Sequence, residues 1–357
     1  MTNLFVLNKD LVPVYVVDEF EQLIWTTRYN QLGDFELTLP VLDSHLENLQ
    51  KEFYIRYEDD PELMIIDDIE INTDDEEGHN LFVTGRDVGS ILDRRVVFPQ
   101  VMLNGTVANS VASLLNTNII NPSLAARRWD QLSFTNLTDP SLGDIRVEAQ
   151  YTGDGLDSAI IDLCLVTDLG FQVRTLGSGF EFVLFSGRDL TGADPNNHVV
   201  LFSPAYENLS NSSFFTSDRL HKTVTIVAGE GEGADRKHIT VYDPNVASAT
   251  SGIDRRESFT DARDISSSVE DRTLTRTEYN NLLKQRGLEK LAEQKTATLF
   301  DGEAEVAQMF QYGVDFYIGD VVLIQNEYGM RGASRITEYI RSEGPGGKLS
   351  YPTFTSI

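Results

Sequence analysis

Strand signals in the same order occur at both ends of the chain, with a helical stretch between them, and this arrangement limits the fold more than any other feature. Near the N-terminus the order is Phe35–Leu39, a connection, Phe53–Tyr57, a turn, Met64–Ile71, a polar turn and Leu81–Thr84. Near the C-terminus it is Glu303–Gln308, a connection, Val321–Gln325, a Gly-containing turn, Ala333–Arg341, a Gly-Pro-Gly-Gly turn and Leu349–Phe354. The first two strands start about 18 residues apart in both copies. Short strands repeated in this way predict two related β-barrels in one chain.

The N-terminal part, residues 3–72, reads as extended, because Leu4 and Val6, then Val12, Val14 and Val16, then Leu23-Ile24-Trp25 alternate with polar residues or are β-branched and aromatic. Leu63–Ile71 and Leu81–Gly85 predict a hairpin whose tip, Asp74-Asp75-Glu76-Glu77-Gly78, carries four carboxylates. The tip lacks the alternating ligands of an EF-hand loop and is read as a solvated turn rather than a cation site.

Between the two strand sets the period changes. Val107, Val111, Leu114 and Leu115 follow Asn104-Gly105-Thr106 at helical spacing, and Leu156, Ala159, Ile160, Leu163 and Cys164 do so after Asp154, with Gly170 as the expected stop. Hairpins are expected at 171–185 and 223–242. Helices and strands are segregated here, so the region reads as α+β rather than doubly wound. Residues 253–295 hold nine acidic and nine basic side chains. There, Thr275-Arg276-Thr277-Glu278 is a capping box opening a helix to about Gln294, interrupted by Arg286 and Gly287 on its apolar face.

The chain has 29 Lys and Arg against 56 Asp and Glu, a formal net charge of -27. Such a balance opposes a phosphate-gripping surface. Cys164 is the one cysteine, so there is no disulfide framework and no zinc ribbon. No apolar run of 18 residues occurs, and the N-terminus lacks the features of a signal peptide, so a soluble product working where it is made, or in an assembly built there, is expected. The run Ala228-Gly229-Glu230-Gly231-Glu232-Gly233-Ala234-Asp235-Arg236 follows a strand but precedes another strand, and its glutamates would repel a pyrophosphate. It reads as a hairpin loop, not a nucleotide cradle. His45, His79, His198, His221 and His238 show no metal-ligand spacing. With so many carboxylates, no pair singles itself out as an acid and base.

In the middle of the chain the features fall in a more specific order. Gly153-Asp154-Gly155-Leu156-Asp157-Ser158-Ala159-Ile160-Ile161-Asp162-Leu163 is followed by Leu169-Gly170-Phe171-Gln172-Val173, Gly187-Arg188-Asp189-Leu190-Thr191, Val199-Val200-Leu201-Phe202-Ser203, Glu207-Asn208-Leu209 and the Gly-rich run. With Tyr29-Asn30-Gln31-Leu32-Gly33-Asp34-Phe35-Glu36-Leu37 and Gly85-Arg86-Asp87-Val88-Gly89-Ser90-Ile91-Leu92-Asp93-Arg94-Arg95-Val96-Val97, this order resembles the tail-hub family of long-tailed bacteriophages, especially siphophages of Gram-positive hosts. The resemblance spans nearly the whole chain. It extends to the hubs of contractile baseplates and type VI secretion spikes.

The resemblance implies a homotrimeric, non-enzymatic virion protein at the tail tip, assembled in the host cytoplasm. Two tube-type barrels per subunit would give three subunits a pseudo-sixfold ring. The expected fold class is α+β, mainly β. Its expected parts are a first tube-type barrel at 1–98, an α+β middle domain at 99–252 that can lend strands to a barrel, a charged linker and helix at 253–296, and second-barrel strands at 297–357. Implied partners are further copies of the chain, the distal tail protein or tail-tube ring, the tape measure protein, and fibre or receptor-binding proteins, with DNA passing through without specific binding. The chain stops at Ile357, so any lytic activity is expected in another protein, and no catalytic, cofactor or metal residue is assigned. The alternative is a tail-associated protein that binds glycan or hydrolyses cell wall, using aromatics such as Trp25, Trp129 and Tyr206 with nearby carboxylates.

Overall fold

A computed structural model describes residues 2–58, 60–74, 78–134, 142, 144–246, 251–269, 272–295, 297–303 and 309–356. The N-terminal strands are β1 (Leu4–Leu7), β2 (Pro13–Val17), β3 (Gln22–Arg28), β4 (Asp34–Pro40), β5 (Tyr54–Tyr57), β6 (Leu63–Asp74) and β7 (Gly78–Asp87). The extended reading of 3–72 is interrupted by a short helix, α1 (Asp43–Asn48), which turns the chain after Pro40. Its buried His45 holds the Pro40 carbonyl at 2.9 Å. The tip at 75–77 lies outside the described residues.

The middle region comprises β8 (Val101–Thr106), α2 (Val107–Leu115), β9 (Leu132–Phe134), β10 (Arg146–Tyr151), α3 (Leu156–Thr167), β11 (Gly170–Leu176) and β12 (Gly179–Phe185). Thr106 caps α2 by accepting the Asn109 amide at 3.3 Å. Helix α3 stops before Gly170, at Asp168, which takes the left-handed conformation with φ 56°. Gly170 instead opens β11, where a Cβ would lie 2.3 Å from the Tyr29 ring and only glycine fits. Together these elements bury the largest apolar cluster, from Val107 through Leu163 and Cys164 to Phe182.

Next come β13 (Leu201–Phe202), β14 (Ser210–Ser217), β15 (Val224–Ala228), β16 (His238–Tyr242), β17 (Glu257–Asp261), and the two-residue strands β18 (Ser268–Val269) and β19 (Arg272–Thr273). Helix α4 (Arg276–Glu293) lies on β15 and β16, and its capping box is formed on both sides. Gly287 is a contact point rather than a helix defect, since a Cβ there would meet Val241 at 2.7 Å and Val227 at 2.8 Å. Arg286 is satisfied by Asp264 at 2.8 Å and Glu289 at 3.4 Å.

The chain ends with β20 (Ala297–Glu303), β21 (Val321–Gln325), β22 (Arg331–Gly344) and β23 (Gly347–Ser356). These join the N-terminal strands in one sheet of order β14-β20-β23-β22-β3-β4-β7-β6-β5-β1-β2, with β21 beside β22 and β13 beside β21. The architecture is mainly β with an α+β middle, as the sequence led us to expect. Among the described residues, the ladders join the two strand sets at β22–β3 and leave each set open.

The duplication is visible in the registers. Neighbour order β3-β4-β7-β6-β5 matches β14-β20-β23-β22-β21. Across the first set runs the row Trp25, Phe35, Gly85, Ile66, and across the second the row Phe214, Phe300, Phe354, Ile336. Both rows are followed by a bulge on the same strand, at Asp67 and at Thr337. The C-terminal counterpart of β4 is therefore β20; beyond Glu303, the sequence match at 303–308 lies outside the described residues. Separate cores fill the two sets. One holds Trp25, Phe35, Leu37 and Val83, and the other holds Phe202, Phe316, Ile336 and Phe354.

Candidate functional site

The open face of the joined sheet follows from alternation. In β4, Phe35, Leu37 and Leu39 are buried, so Asp34, Glu36 and Thr38 point the other way. The ladders carry that side outward: Glu36 is opposite Thr84, Thr84 is opposite Asp68, and Phe82 is opposite Glu70. At the junction Glu338 is opposite Arg28. Across β22, β3, β4, β7 and β6 the open face thus presents Asp34, Glu36, Asp68, Glu70 and Glu338, with Arg28 and Arg86 as its cations. Both arginines are engaged. Arg28 Nε donates to Glu338 at 2.7 Å and its Nη1 to Asp34 at 2.6 Å, while Arg86 bridges Asp67 at 2.8 Å and Asp93 at 2.7 Å. Burial works against the Arg28 charge, but these two carboxylates outweigh it and hold its pKa above the ordinary arginine value. The face that remains is acidic.

Behind the junction the side chains are largely aromatic. The Arg341 guanidinium lies 4.8 Å from the Tyr57 ring centroid and pairs with Asp60 at 2.7 Å. Tyr339 stacks on Tyr312 at 3.8 Å. The Thr2 amide donates to both Glu343 carboxylate oxygens, at 3.1 and 3.2 Å, and the Tyr29 amide donates to the Thr337 carbonyl at 3.0 Å. Below lies a cleft of about 700 Å³ whose lining includes Asp60, Glu62, Arg188 and Arg341. Its charges are largely spent internally, Arg188 on Asp320 at 2.6 Å and Arg341 on Asp60. Glu62 accepts from Thr27 Oγ1 at 3.1 Å and from Gln172, and burial, reinforced by Asp60, pushes its carboxyl well above the usual range.

The residues named for other chemistries are dispersed. Trp25 is fully buried, Trp129 packs on Phe180 at 5.2 Å in another cluster, and Tyr206 is about half exposed at the end of a short 3-10 helix (Pro204–Tyr206), so the structure assembles no aromatic platform from them. Cys164 is enclosed in the middle core and burial pushes its thiol up. The Gly-rich run is a hairpin loop pressed on α4. Its Glu230 amide donates to the Tyr279 hydroxyl at 2.8 Å, and Arg236 donates to the carbonyls of Gly229 at 2.9 Å and Ala228 at 2.7 Å. The Glu230 amide is thereby spent on a hydroxyl within the protein. Among the described residues, no three His, Cys, Asp or Glu side chains cluster as metal ligands, and no helix is long and apolar enough to cross a membrane. No local pattern of residues marks the Arg28–Glu338 pair, whose members are separated by most of the chain.

The joined, duplicated sheet and its α+β insert define a phage tail-protein fold. A tail protein from Neisseria meningitidis MC58 matches with a TM-score of 0.60 at 11% identity, over 99% of this chain and 96% of its own. The prophage MuSo2 43 kDa tail protein from Shewanella oneidensis matches at 0.58 and 12% identity, over 99% and 98%. Prophage tail protein gp18 from Listeria monocytogenes EGD-e matches at 0.53 and 13%, over 99% and 94%. The chain belongs to the siphovirus ReqiPepy6 Gp37-like protein family, whose model matches residues 3–350. No match was found among curated proteins.

Proposed function

We propose that the chain is the structural hub of a siphophage tail tip: a trimer that closes the tail tube, joins the distal tail protein to fibre or tip proteins, and forms the DNA exit channel. The observation that carries this reading is the duplication, two strand sets with the same registers joined edge to edge in one chain. Three such chains offer six equivalent sets, the number needed to meet a hexameric tube ring contact for contact. In this reading the domains keep the expected limits of 1–98, 99–252, 253–296 and 297–357, with β13 and β14 lent by the second part to the C-terminal set. The acidic open face lines the conduit, where it repels DNA phosphates and lets the duplex slide. Binding and hydrolysis of glycans fall to neighbouring proteins. Electron microscopy of virions carrying an affinity tag on this chain tests the placement. Label at the tail end distal to the capsid is expected, and label along the tube or on the capsid would overturn it.

A further inference from the structure

Between Ser217 of β14 and Ala297 of β20, which pair opposite each other, the chain leaves the joined sheet and builds a lobe from β15, β16, β17 and α4. The two ends of the lobe run back together, since the Lys222 amide donates to the Gln294 carbonyl at 3.0 Å. It has a core of its own, with Val227, Val241, Leu282 and Leu283. The lobe thus hangs on one stalk, and it is attached a second time where α4 lies on β10 and α3.

That seam is polar and loosely filled. Met102 of β8 reaches the lobe core across it. The hydrogen bonds that cross it include Asn281 Nδ2 to Glu148 at 3.0 Å, the Ser266 amide to Gln150 Oε1 at 2.7 Å and the Tyr151 hydroxyl to Glu289 Oε1 at 2.9 Å. Gln150 Nε2 is buried without a partner among the described residues. A cleft of about 160 Å³ is lined by Leu165 and Val166 of α3 and by Leu288 and Leu291 of α4. Glu289 itself is 2% exposed. Tyr151 faces it from β10 and Asp162 from α3, while Gln285 and Arg286 of α4 each approach to 3.4 Å. Asp154, Asp264, Lys290 and Glu293 bear on the same cluster. The cations are already engaged, Arg286 with Asp264 at 2.8 Å and Lys290 with Glu293 at 2.8 Å.

We propose that Glu289 is a proton-controlled latch that docks the lobe on the middle core. Protonated, it closes the seam; ionised, it lets α4 and its sheet swing away on the β14–β20 stalk. A charged Glu289 would be buried among carboxylates whose cations are paired elsewhere, a state that burial penalises. Burial pushes its carboxyl up to about 7 and that of Asp162 up to about 6, whereas a carboxyl in water titrates near about 4. The docked form therefore keeps a proton that the swung-out form releases. Docking is favoured at low pH and weakens roughly tenfold per pH unit as pH rises from about 5 to 7. Both sides of the latch lie in one chain, so the inference stands apart from the hub reading.

Spin labels on Ser158→Cys in α3 and Lys284→Cys in α4, both exposed positions, span the seam, and the native Cys164 is buried. Pulsed electron resonance of the labelled full chain, diluted in unlabelled chain, should give one short distance at about pH 5.5. A longer population should grow as the pH is raised to about 8, and adding Glu289→Gln should hold the short distance throughout. A second pair, on Glu47→Cys and Ser158→Cys, does not cross the seam and should stay fixed. Circular dichroism verifies folding, and the pH series on the parent background tests the latch even if the glutamine variant misfolds. A parent distance that ignores pH, a second pair that lengthens equally, or a folded Glu289→Gln chain that opens as the parent does would each overturn the latch.

Discussion

Asp67 and Thr337 occupy one position in two copies of a strand pattern, each being the extra residue of a bulge between the same two neighbouring strands. A bulge changes which face every later side chain takes. In the second copy the bulge separates two partners on one strand: first its own hairpin neighbour, β21 on β22, and then the strand of the other set, β3 on β22.

The junction within the chain depends on Arg341. Arg341→Met leaves Asp60 unpaired at a site where both partners are 14% exposed. A loss of about 3 kcal/mol is expected in denaturant unfolding. Adding Asp60→Asn should restore a large part of it, whereas additive losses would show that the pair is not what holds the seam.

Gly287→Ala reverses an ordinary rule. Alanine in a helix normally gains about 1 kcal/mol over glycine, but here the added methyl meets Val241 and Val227 at under 3 Å. Overpacking costs of about 1–3 kcal/mol are typical. A net fall in stability is therefore expected, and a rise would mean that α4 can back away from β15 and β16.

Stability should fall as pH rises from about 5 to 8. Burial, reinforced by Asp162 and opposed by Arg286, pushes the Glu289 carboxyl up to about 7. Burial likewise pushes Asp87 and Asp162 up to about 6. Unfolded carboxyls titrate near about 4, so across this window the native state holds protons that the unfolded chain has released, and raising the pH favours unfolding. The melting temperature of Glu289→Gln should decline less between pH 5 and pH 8 than that of the parent. An equal decline would remove Glu289 from the account.

The open face should repel DNA. The parent chain is expected to show no retention of duplex DNA at low salt. Glu36→Lys with Asp68→Lys should create weak binding whose log K falls against log salt by about 0.9 per phosphate contacted. Measurable low-salt binding by the parent would contradict an acidic conduit.

Much of the fold can be read locally. The capping box at Thr275 and Glu278 and the helical spacing from Val107 and from Leu156 depend on residues a few positions apart, and all three helices form. The duplication was visible as an order of strands, but its alignment was not. Register depends on pairing partners, and at the row of Trp25, Phe35, Gly85 and Ile66 the second copy has Phe214, Phe300, Phe354 and Ile336, with little residue identity to follow. Gly287 reads as a defect until Val241 is placed against it. The junction was hidden for the same reason, since Arg28 and Glu338 meet only once the two ends of the chain have folded together.

Native mass spectrometry of the purified chain across a concentration series tests the hub most directly. A closed species of three chains, growing with concentration at the expense of monomer, is the predicted result. A chain that stays monomeric throughout, or closes at any other number, would contradict it.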